Sequence, residues 1–148
     1  RFLIEELKPM LDREYRTRPE RDATTVAGSS LGATIAFYLA WTRPDIFRAV
    51  ACLSPAFRFR QDELVLDLVR REKNRRDLAC YLYCGLGDKL EKELMQGTVE
   101  MFNLLKARGW HPGRDLLFEQ DAGGQHHEAA WSRHTPAWLQ FLFPRAAS

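Results

Sequence analysis

The sequence predicts a single α/β domain built on a mostly parallel β-sheet with helices on both faces. Four short apolar segments alternate with longer segments in which apolar residues recur at helical spacing. This alternation favours parallel strands, because each helix returns the chain to the starting edge of the sheet. A length of 148 residues, 45% of them hydrophobic, supports one sizeable core, so residues 1–148 are expected to form one domain.

Each predicted element follows from a local pattern of residue types. The predicted strands, short and apolar or β-branched, are residues 23–27, 49–53, 78–84 and 115–118. The predicted helices, with apolar residues in phase, are residues 1–16, 33–41, 62–71, 93–108 and 127–143. In a parallel sheet, ligands gather beyond the carboxyl ends of the strands. The loops after the four strands are therefore where functional side chains are expected.

The charge balance gives no reason to expect a nucleic-acid or membrane partner. Twenty-two Lys and Arg residues face 20 Asp and Glu residues, which leaves a formal net charge of +2. No run reaches the roughly 18 apolar residues of a spanning helix, and no signal segment opens the chain, so a cytoplasmic location is expected. Because the chain begins at Arg1, we expect its native N-terminus to have been removed or to lie upstream.

The three cysteines, Cys52, Cys80 and Cys84, lie within apolar runs. An odd number of cysteines at such positions is typical of buried free thiols and not of a disulfide framework. The cysteines and histidines lack the spacing of a zinc site. We therefore expect neither a metal nor a cofactor.

The strongest functional signal is a G-x-S-x-G motif at residues 28–32, between a predicted strand and a predicted helix. This context indicates a nucleophile elbow, a sharp turn that exposes a serine hydroxyl. The small Gly28 and Gly32 are expected to let the turn close tightly. Ser30 is therefore the candidate nucleophile, and the amide of Leu31 at the helix N-terminus is the candidate oxyanion donor. The alternative is a Gly/Ser-rich turn without catalysis.

The serine needs a base, and folds with this elbow place serine, acid and histidine in that order along the chain. His126 and His127 follow the last predicted strand and two glycines. The pattern leaves open which of them is the base, and it predicts that the other caps the helix or faces solvent. His111 and His134 are expected to be ordinary surface histidines.

The acid that orients the histidine is expected after the third strand. Asp88 stands there, after Gly85 and Gly87, and is the preferred acid. A helix-capping or turn aspartate is the structural alternative for this position. Glu91 and Asp121 are the other candidate acids.

Together these segments resemble the esterase family of α/β hydrolases that includes esterase D and the enterochelin esterases and is related to feruloyl and acetyl-xylan esterases. The resemblance spans most of the chain and is more specific than the pentapeptide alone. The matching segments are 5–7 (Glu-Glu-Leu), 15–17 (Tyr-Arg-Thr), 28–32, 53–57 (Leu-Ser-Pro-Ala-Phe) and 126–131 (His-His-Glu-Ala-Ala-Trp).

The resemblance implies an α/β-hydrolase fold and a choice between the two histidines. Relatives have a histidine, a variable residue and then Glu-Ala-Ala-Trp, which aligns His126 with the catalytic histidine. Glu128 and Trp131 then become scaffold residues. Ala33 stands where relatives usually have a second glycine, a change that should only tighten helix packing.

The family also carries about as much sequence again before Phe2, including the strands beside the elbow strand and the loop that gives a second oxyanion amide. The resemblance therefore implies a partial α/β-hydrolase fold. Without those strands, the strand at 23–27 is expected to be an exposed edge. We expect either that an upstream portion completes the sheet or that the chain forms a homo-oligomer through this edge.

The predicted function is hydrolysis of a small-molecule carboxylic ester through an acyl-enzyme, with Ser30, His126 and Asp88 as a catalytic triad. Residues 57–60 (Phe-Arg-Phe-Arg) are compatible with an anionic aromatic ester such as a catecholate siderophore, or with a plain solvated loop. One alternative is a non-catalytic binding or structural domain that retains the fold. Another is nucleic-acid binding through the basic residues of 70–76, although that segment has no interleaved aromatic residues.

Overall fold

The computed structural model describes residues 1–59 and 63–144. At its centre is a four-stranded, fully parallel sheet in the order β1-β2-β3-β4. The strands are β1 (Thr25–Ser29), β2 (Ala49–Leu53), β3 (Ala79–Gly85) and β4 (Leu116–Asp121). Because neighbouring strands are also consecutive in the chain, a helix separates each pair and all four carboxyl ends lie at one edge.

The helices surround this sheet. They are α1 (Lys8–Glu14), α2 (Leu31–Thr42), α3 (Leu64–Arg71), α4 (Lys89–Ala107), α5 (Glu128–Arg133) and α6 (Thr135–Leu142). A π-helical segment, Leu3–Leu7, leads directly into α1, and Arg21–Ala23 form a 3-10 turn before β1. Within residues 1–59 and 63–144, no helix has both the length and the apolar character that crossing a membrane requires.

Two apolar clusters sandwich the sheet, because successive side chains of a strand point to opposite faces. Val50 and Cys52 of β2 belong to the cluster formed with α2, α3 and α4. Ala51 and Leu53 belong to the cluster on the other face, where Trp131 of α5 and residues of α6 pack. Helices therefore cover both faces, which confirms the predicted fold class.

The three cysteines are free and buried, as predicted. Burial raises the pKa of each thiol, because a thiolate in the core would lose its hydration. All three therefore remain protonated at neutral pH.

Several element bounds differ from the predicted ones. The last predicted helix is two helices that meet at His134, because Pro136 in the first turn of α6 has no N–H to donate to the preceding turn. Helix α4 begins four residues earlier than predicted, because Asp88 caps it. Asp62, the predicted start of the third helix, lies outside the described residues, and α3 begins at Leu64.

Strand β1 lies at one edge of the sheet. Among the described strands, β1 pairs only with β2, so its other edge has backbone groups without a strand partner. Beside this edge lies an apolar concavity of about 440 Å³ between the N-terminal helical segment and α6. Its lining includes Leu3, Leu7, Leu11, Val26, Trp138 and Phe143.

Candidate active site

Ser30 occupies a strained turn between β1 and α2. Its φ of 56° and ψ of −128° place it in a region that non-glycine residues rarely adopt. Its amide donates to the carbonyl of Leu53 at 2.9 Å, which ties the turn to the end of β2. The turn thereby holds the serine at the carboxyl edge of the sheet, as an elbow requires.

The glycine that this turn needs is Gly28. A Cβ atom on Gly28 would lie 2.3 Å from the carbonyl oxygen of Gly32, a backbone atom that cannot move aside. A Cβ atom on Gly32 itself would meet nothing within 4 Å. The expectation that both small residues are needed is therefore corrected: the close approach requires a glycine only at position 28.

Ser30 and His126, the two residues chosen from the sequence, are in contact. Nε2 of His126 lies 2.9 Å from Oγ of Ser30, and Nδ1 lies 2.7 Å from Oε1 of Glu91. A carboxylate can only accept a hydrogen bond, so Nδ1 carries the proton and Nε2 accepts from the serine hydroxyl. The three side chains form one hydrogen-bonded line from serine to carboxylate.

The structure corrects the choice of Asp88 as the residue that orients the imidazole. Its Oδ1 accepts from the amide of Glu91 at 2.9 Å, and its Oδ2 accepts from the amide of His126 at 2.6 Å. These two amide donors hold the pKa of Asp88 below its ordinary value, the bond from Glu91 having the larger effect. The short aspartate is occupied in capping α4, whereas Glu91, one turn further along, reaches the ring.

Glu91, the carboxylate at the end of the hydrogen-bonded line from Ser30 through His126, is fully buried. Its Oε2 accepts from the amide of Gly85 at 2.6 Å and from the thiol of Cys84 at 3.3 Å. Burying a carboxylate is costly unless donors satisfy it, and here the imidazole, an amide and a thiol do so. The raised pKa of Cys84, caused by burial and by Glu91, keeps this thiol protonated as a donor.

The loop that carries His126 is fixed by its neighbours on both sides. His127 caps α5 by accepting from the amide of Ala130, the role predicted for the histidine that is not the base. The indole of Trp131 packs edge-on against the His126 ring, with 5.0 Å between centroids, and its Nε1 donates to Ser54 at 2.9 Å. Trp131 therefore acts as a scaffold for the loop.

One polar cluster near the site was not anticipated. His134 is a half-buried residue, not a surface one: its ring nitrogens lie 3.2 Å from Glu119 and 3.4 Å from Asp121, and the ring packs on Tyr83. Asp121, the third candidate acid, contacts His134 and the amide of Gly123 and not the His126 ring. The sequence signal was the spacing of two acids at i and i+2, which places them on one face of β4.

The comparison with protein families shows to which family the chain belongs. Residues 1–142 match the model of the family described as "Putative esterase". The chain belongs to this esterase family. It is also similar to the uncharacterized protein YjcH of Bacillus subtilis (strain 168), with 33% identity over 85 residues, 57% of this chain and 34% of that protein.

Solved esterase structures share the fold. The enterobactin esterase FES from Shigella flexneri, in the presence of 2,3-di-hydroxy-N-benzoyl-glycine, matches with a TM-score of 0.79 at 21% identity, over 94% of this chain and 36% of that one. FphF of Staphylococcus aureus, a fluorophosphonate-binding serine hydrolase, matches with a TM-score of 0.72 at 18% identity, over 95% of this chain and 62% of that one. The esterase-family chain thus spans about a third of the length of YjcH and of the enterobactin esterase.

The aromatic and basic loop of this esterase-family chain is only partly available to a ligand. Phe57 is buried against Phe37, with 5.2 Å between ring centroids. Arg58 pairs with Glu63 at 2.6 Å and with Glu100 at 3.1 Å. Arg60 lies outside the described residues. Arg58 is therefore engaged within the protein, and the described part of the loop gives no free cation for an anionic ester.

Three of the five basic residues in the segment 70–76 are likewise held by acidic partners. Arg70 pairs with Glu63, Asp67 and Glu100 in a single network. Arg75 and Arg76 pair with acidic residues at 2.7 Å and 2.6 Å respectively. These arginines therefore pair with acidic residues of the same chain. The contacts give the nucleic-acid interpretation no support.

A small apolar cavity of about 120 Å³ lies beside the elbow. Its lining includes Leu31, Thr34, Ala56, Phe57, Phe59 and Val65. Leu31 directly follows the serine, and Thr34 lies one helical turn further along α2. The cavity therefore lies beside the first turn of α2, next to the elbow.

The different surroundings of the two elbow glycines lead to a matched pair of predictions. Gly28→Ala should prevent the elbow from closing and lower the melting temperature by several degrees. Gly32→Ala should leave the melting temperature unchanged or raise it slightly, since alanine is favoured over glycine in helices by about 1 kcal/mol. Thermal unfolding followed by circular dichroism measures both, and equal destabilisation by the two substitutions would contradict the asymmetry.

Proposed function

We propose that this chain carries the catalytic residues of a serine esterase that hydrolyses a carboxylic ester through an acyl-enzyme. The observation that supports this most directly is the hydrogen-bonded line from Ser30 through His126 to Glu91. Membership of an esterase family supports the class of reaction. The catalytic roles of the individual side chains are part of this proposal.

In the first step, Nε2 of His126 removes the proton of the Ser30 hydroxyl as Oγ attacks the ester carbonyl. The carbonyl π bond breaks, and a tetrahedral intermediate with a negatively charged oxygen forms. When this intermediate collapses, the bond to the alcohol oxygen breaks. His126 gives its proton to that oxygen, so the alcohol leaves and the acyl group stays on Ser30.

In the second step, water replaces the alcohol. His126 removes a proton from the water molecule, whose oxygen attacks the acyl carbonyl. Collapse of the second tetrahedral intermediate breaks the bond to Oγ, and His126 returns the proton to Ser30. The products are the free acid and the regenerated serine. In each step the imidazole of His126 accepts one proton and gives one proton back.

Glu91 supports both steps through its bond to Nδ1 of His126. The carboxylate fixes the ring so that Nε2 faces the serine, and it stabilises the imidazolium that each proton transfer creates. Because Glu91 is fully buried, little water screens this interaction. The amide of Leu31, in the first turn of α2, has no carbonyl partner within the helix and can donate to the oxyanion.

The cavity beside Leu31 supports a limit on substrate size. A cavity of about 150 Å³ is known to hold one benzene molecule, and the cavity beside the elbow is about 120 Å³. We therefore propose an ester whose buried apolar group is no larger than one aromatic ring. The one-ring benzoyl compound present with the enterobactin esterase FES is of this size.

We also propose that the open edge of β1 pairs with a further β-strand. The unpaired edge and the apolar concavity beside it support this pairing. The partner strand comes from a preceding part of a longer polypeptide or, when the chain is alone, from a second copy.

The nucleophile and the acid can be tested with a fluorophosphonate probe and an aryl ester, in the natural polypeptide that carries this sequence. Ser30→Ala should abolish labelling. Glu91→Gln should lower kcat by about 10³-fold or more, because the neutral amide no longer stabilises the imidazolium. Glu93→Gln, an exposed position on the same helix, is the control and should be unchanged. Labelling that survives Ser30→Ala would place the reactive residue elsewhere and contradict the assignment of Ser30, whereas a parent that is not labelled would favour a non-catalytic domain.

The size limit is tested with phenyl and naphthyl esters, varied separately in the acid and in the alcohol. One-ring esters should have the higher kcat/KM, and Val65→Ala should reduce that preference by enlarging the cavity. Val69→Ala, the same truncation on the same helix but outside the cavity lining, is the control. A naphthyl preference in the parent would contradict the size limit.

Edge pairing is tested by sedimentation of the isolated chain. We expect concentration-dependent self-association that Ala27→Lys weakens, because a lysine on an edge strand disfavours strand addition. Ile35→Lys, an exposed position on α2 away from the edge, should leave association unchanged. A monomer at every concentration would exclude pairing between copies.

A further inference from the structure

We propose that Asp88 is a positioning residue that holds Glu91 and His126 at the separation their hydrogen bond requires. This inference rests on the proposed function and deepens it, because it assigns a role to a carboxylate that touches neither the serine nor the imidazole ring.

The two oxygens of Asp88 have different partners. Oδ1 accepts from the amide of Glu91 at 2.9 Å, and Oδ2 accepts from the amide of His126 at 2.6 Å. The amides belong to residues that are 35 positions apart in the chain, yet their side chains meet at 2.7 Å. One carboxylate therefore fixes the backbone on both sides of the acid–base contact.

The His126 loop depends on such a link because its own sequence is permissive. Gly123 and Gly124 precede the histidine, and glycine restricts the backbone least of all residues. The loop is also tied at Gly124, whose carbonyl accepts from the amide of Gly87 at 2.7 Å. The bond that the His126 amide donates to Asp88 fixes the backbone of His126 itself, and it thereby aims the ring at both Ser30 and Glu91.

Helix capping alone does not explain both contacts of Asp88. A cap needs one side-chain oxygen to accept from the amide three residues later, and serine serves this purpose about as well as aspartate. The bond from the His126 amide to the second oxygen is additional to the cap. A serine at position 88 would therefore keep the helix cap and lose the link to the histidine.

This difference separates positioning from stability. Asp88→Ala should lower both the melting temperature and kcat. Asp88→Ser should restore most of the melting temperature, while kcat stays about tenfold or more below the parent and KM changes less than twofold. Glu93→Ala, which removes a nearby exposed negative charge from α4, should change neither.

A double variant tests whether Asp88 acts through the acid. On a Glu91→Gln background, Asp88→Ser should cause little further loss of kcat, because the contact it supports is already impaired. The Nδ1 proton of His126, observed by NMR at low field in the parent, should be lost or shifted upfield in Asp88→Ser and retained in Glu93→Ala. This signal does not depend on turnover.

The outcomes are distinct. Full kcat and an unchanged Nδ1 proton signal in Asp88→Ser would reduce Asp88 to a helix cap and overturn the inference. Independent, multiplicative losses in the double variant would also overturn it. A parent that neither hydrolyses esters nor reacts with fluorophosphonate, while the Nδ1 signal still responds to Asp88→Ser, would overturn the proposed function and leave the structural link supported.

Discussion

The buried carboxylate of Glu91 is the interaction on which the rest of the site depends. It receives hydrogen bonds from His126, from the amide of Gly85 and from the thiol of Cys84, so one side chain joins α4, the end of β3 and the histidine loop. Few arrangements could keep an ionised group in a position without access to water. Loss of any one donor would leave part of the charge unsatisfied, which makes the surroundings of Glu91 mutually dependent.

The same arrangement explains why the backbone near the site is so tightly packed. A Cβ atom on Gly85 would lie 2.2 Å from the carbonyl oxygen of Gly124. Only a glycine lets the end of β3 approach the histidine loop closely enough for Glu91 to reach the ring. The strained conformation of Ser30 is held in turn by the bond from its amide to Leu53. Close backbone contacts therefore contribute to the distances between Ser30, His126 and Glu91.

The class of fold was predictable from the sequence, and so was the pairing of Ser30 with His126, because each depends on a local pattern. Alternating strand and helix segments predict a parallel sheet, and a glycine-bounded serine between them predicts an elbow. The carboxylate that contacts the His126 ring could not be chosen in this way. Asp88 and Glu91 are one helical turn apart, and which of them faces His126 depends on where α4 begins, which in turn depends on what Asp88 caps. The role of His134 depended likewise on a long-range contact, since its partners lie on β4.

The turns that end β1 and β2 share a feature that reaches beyond the elbow. Ser54, like Ser30, has a positive φ, and its amide donates to the carbonyl of Tyr83 at 2.7 Å, just as the amide of Ser30 donates to Leu53. In both cases, the amide of the residue that follows the strand makes one further hydrogen bond to the neighbouring strand. These two bonds align β1 with β2 and β2 with β3. Ser30 is thereby aligned with the interior of the sheet, so a core substitution that shifts β3 would displace Ser30, two strands away. Substitutions in the core of this protein are therefore constrained by the geometry of the site as well as by stability.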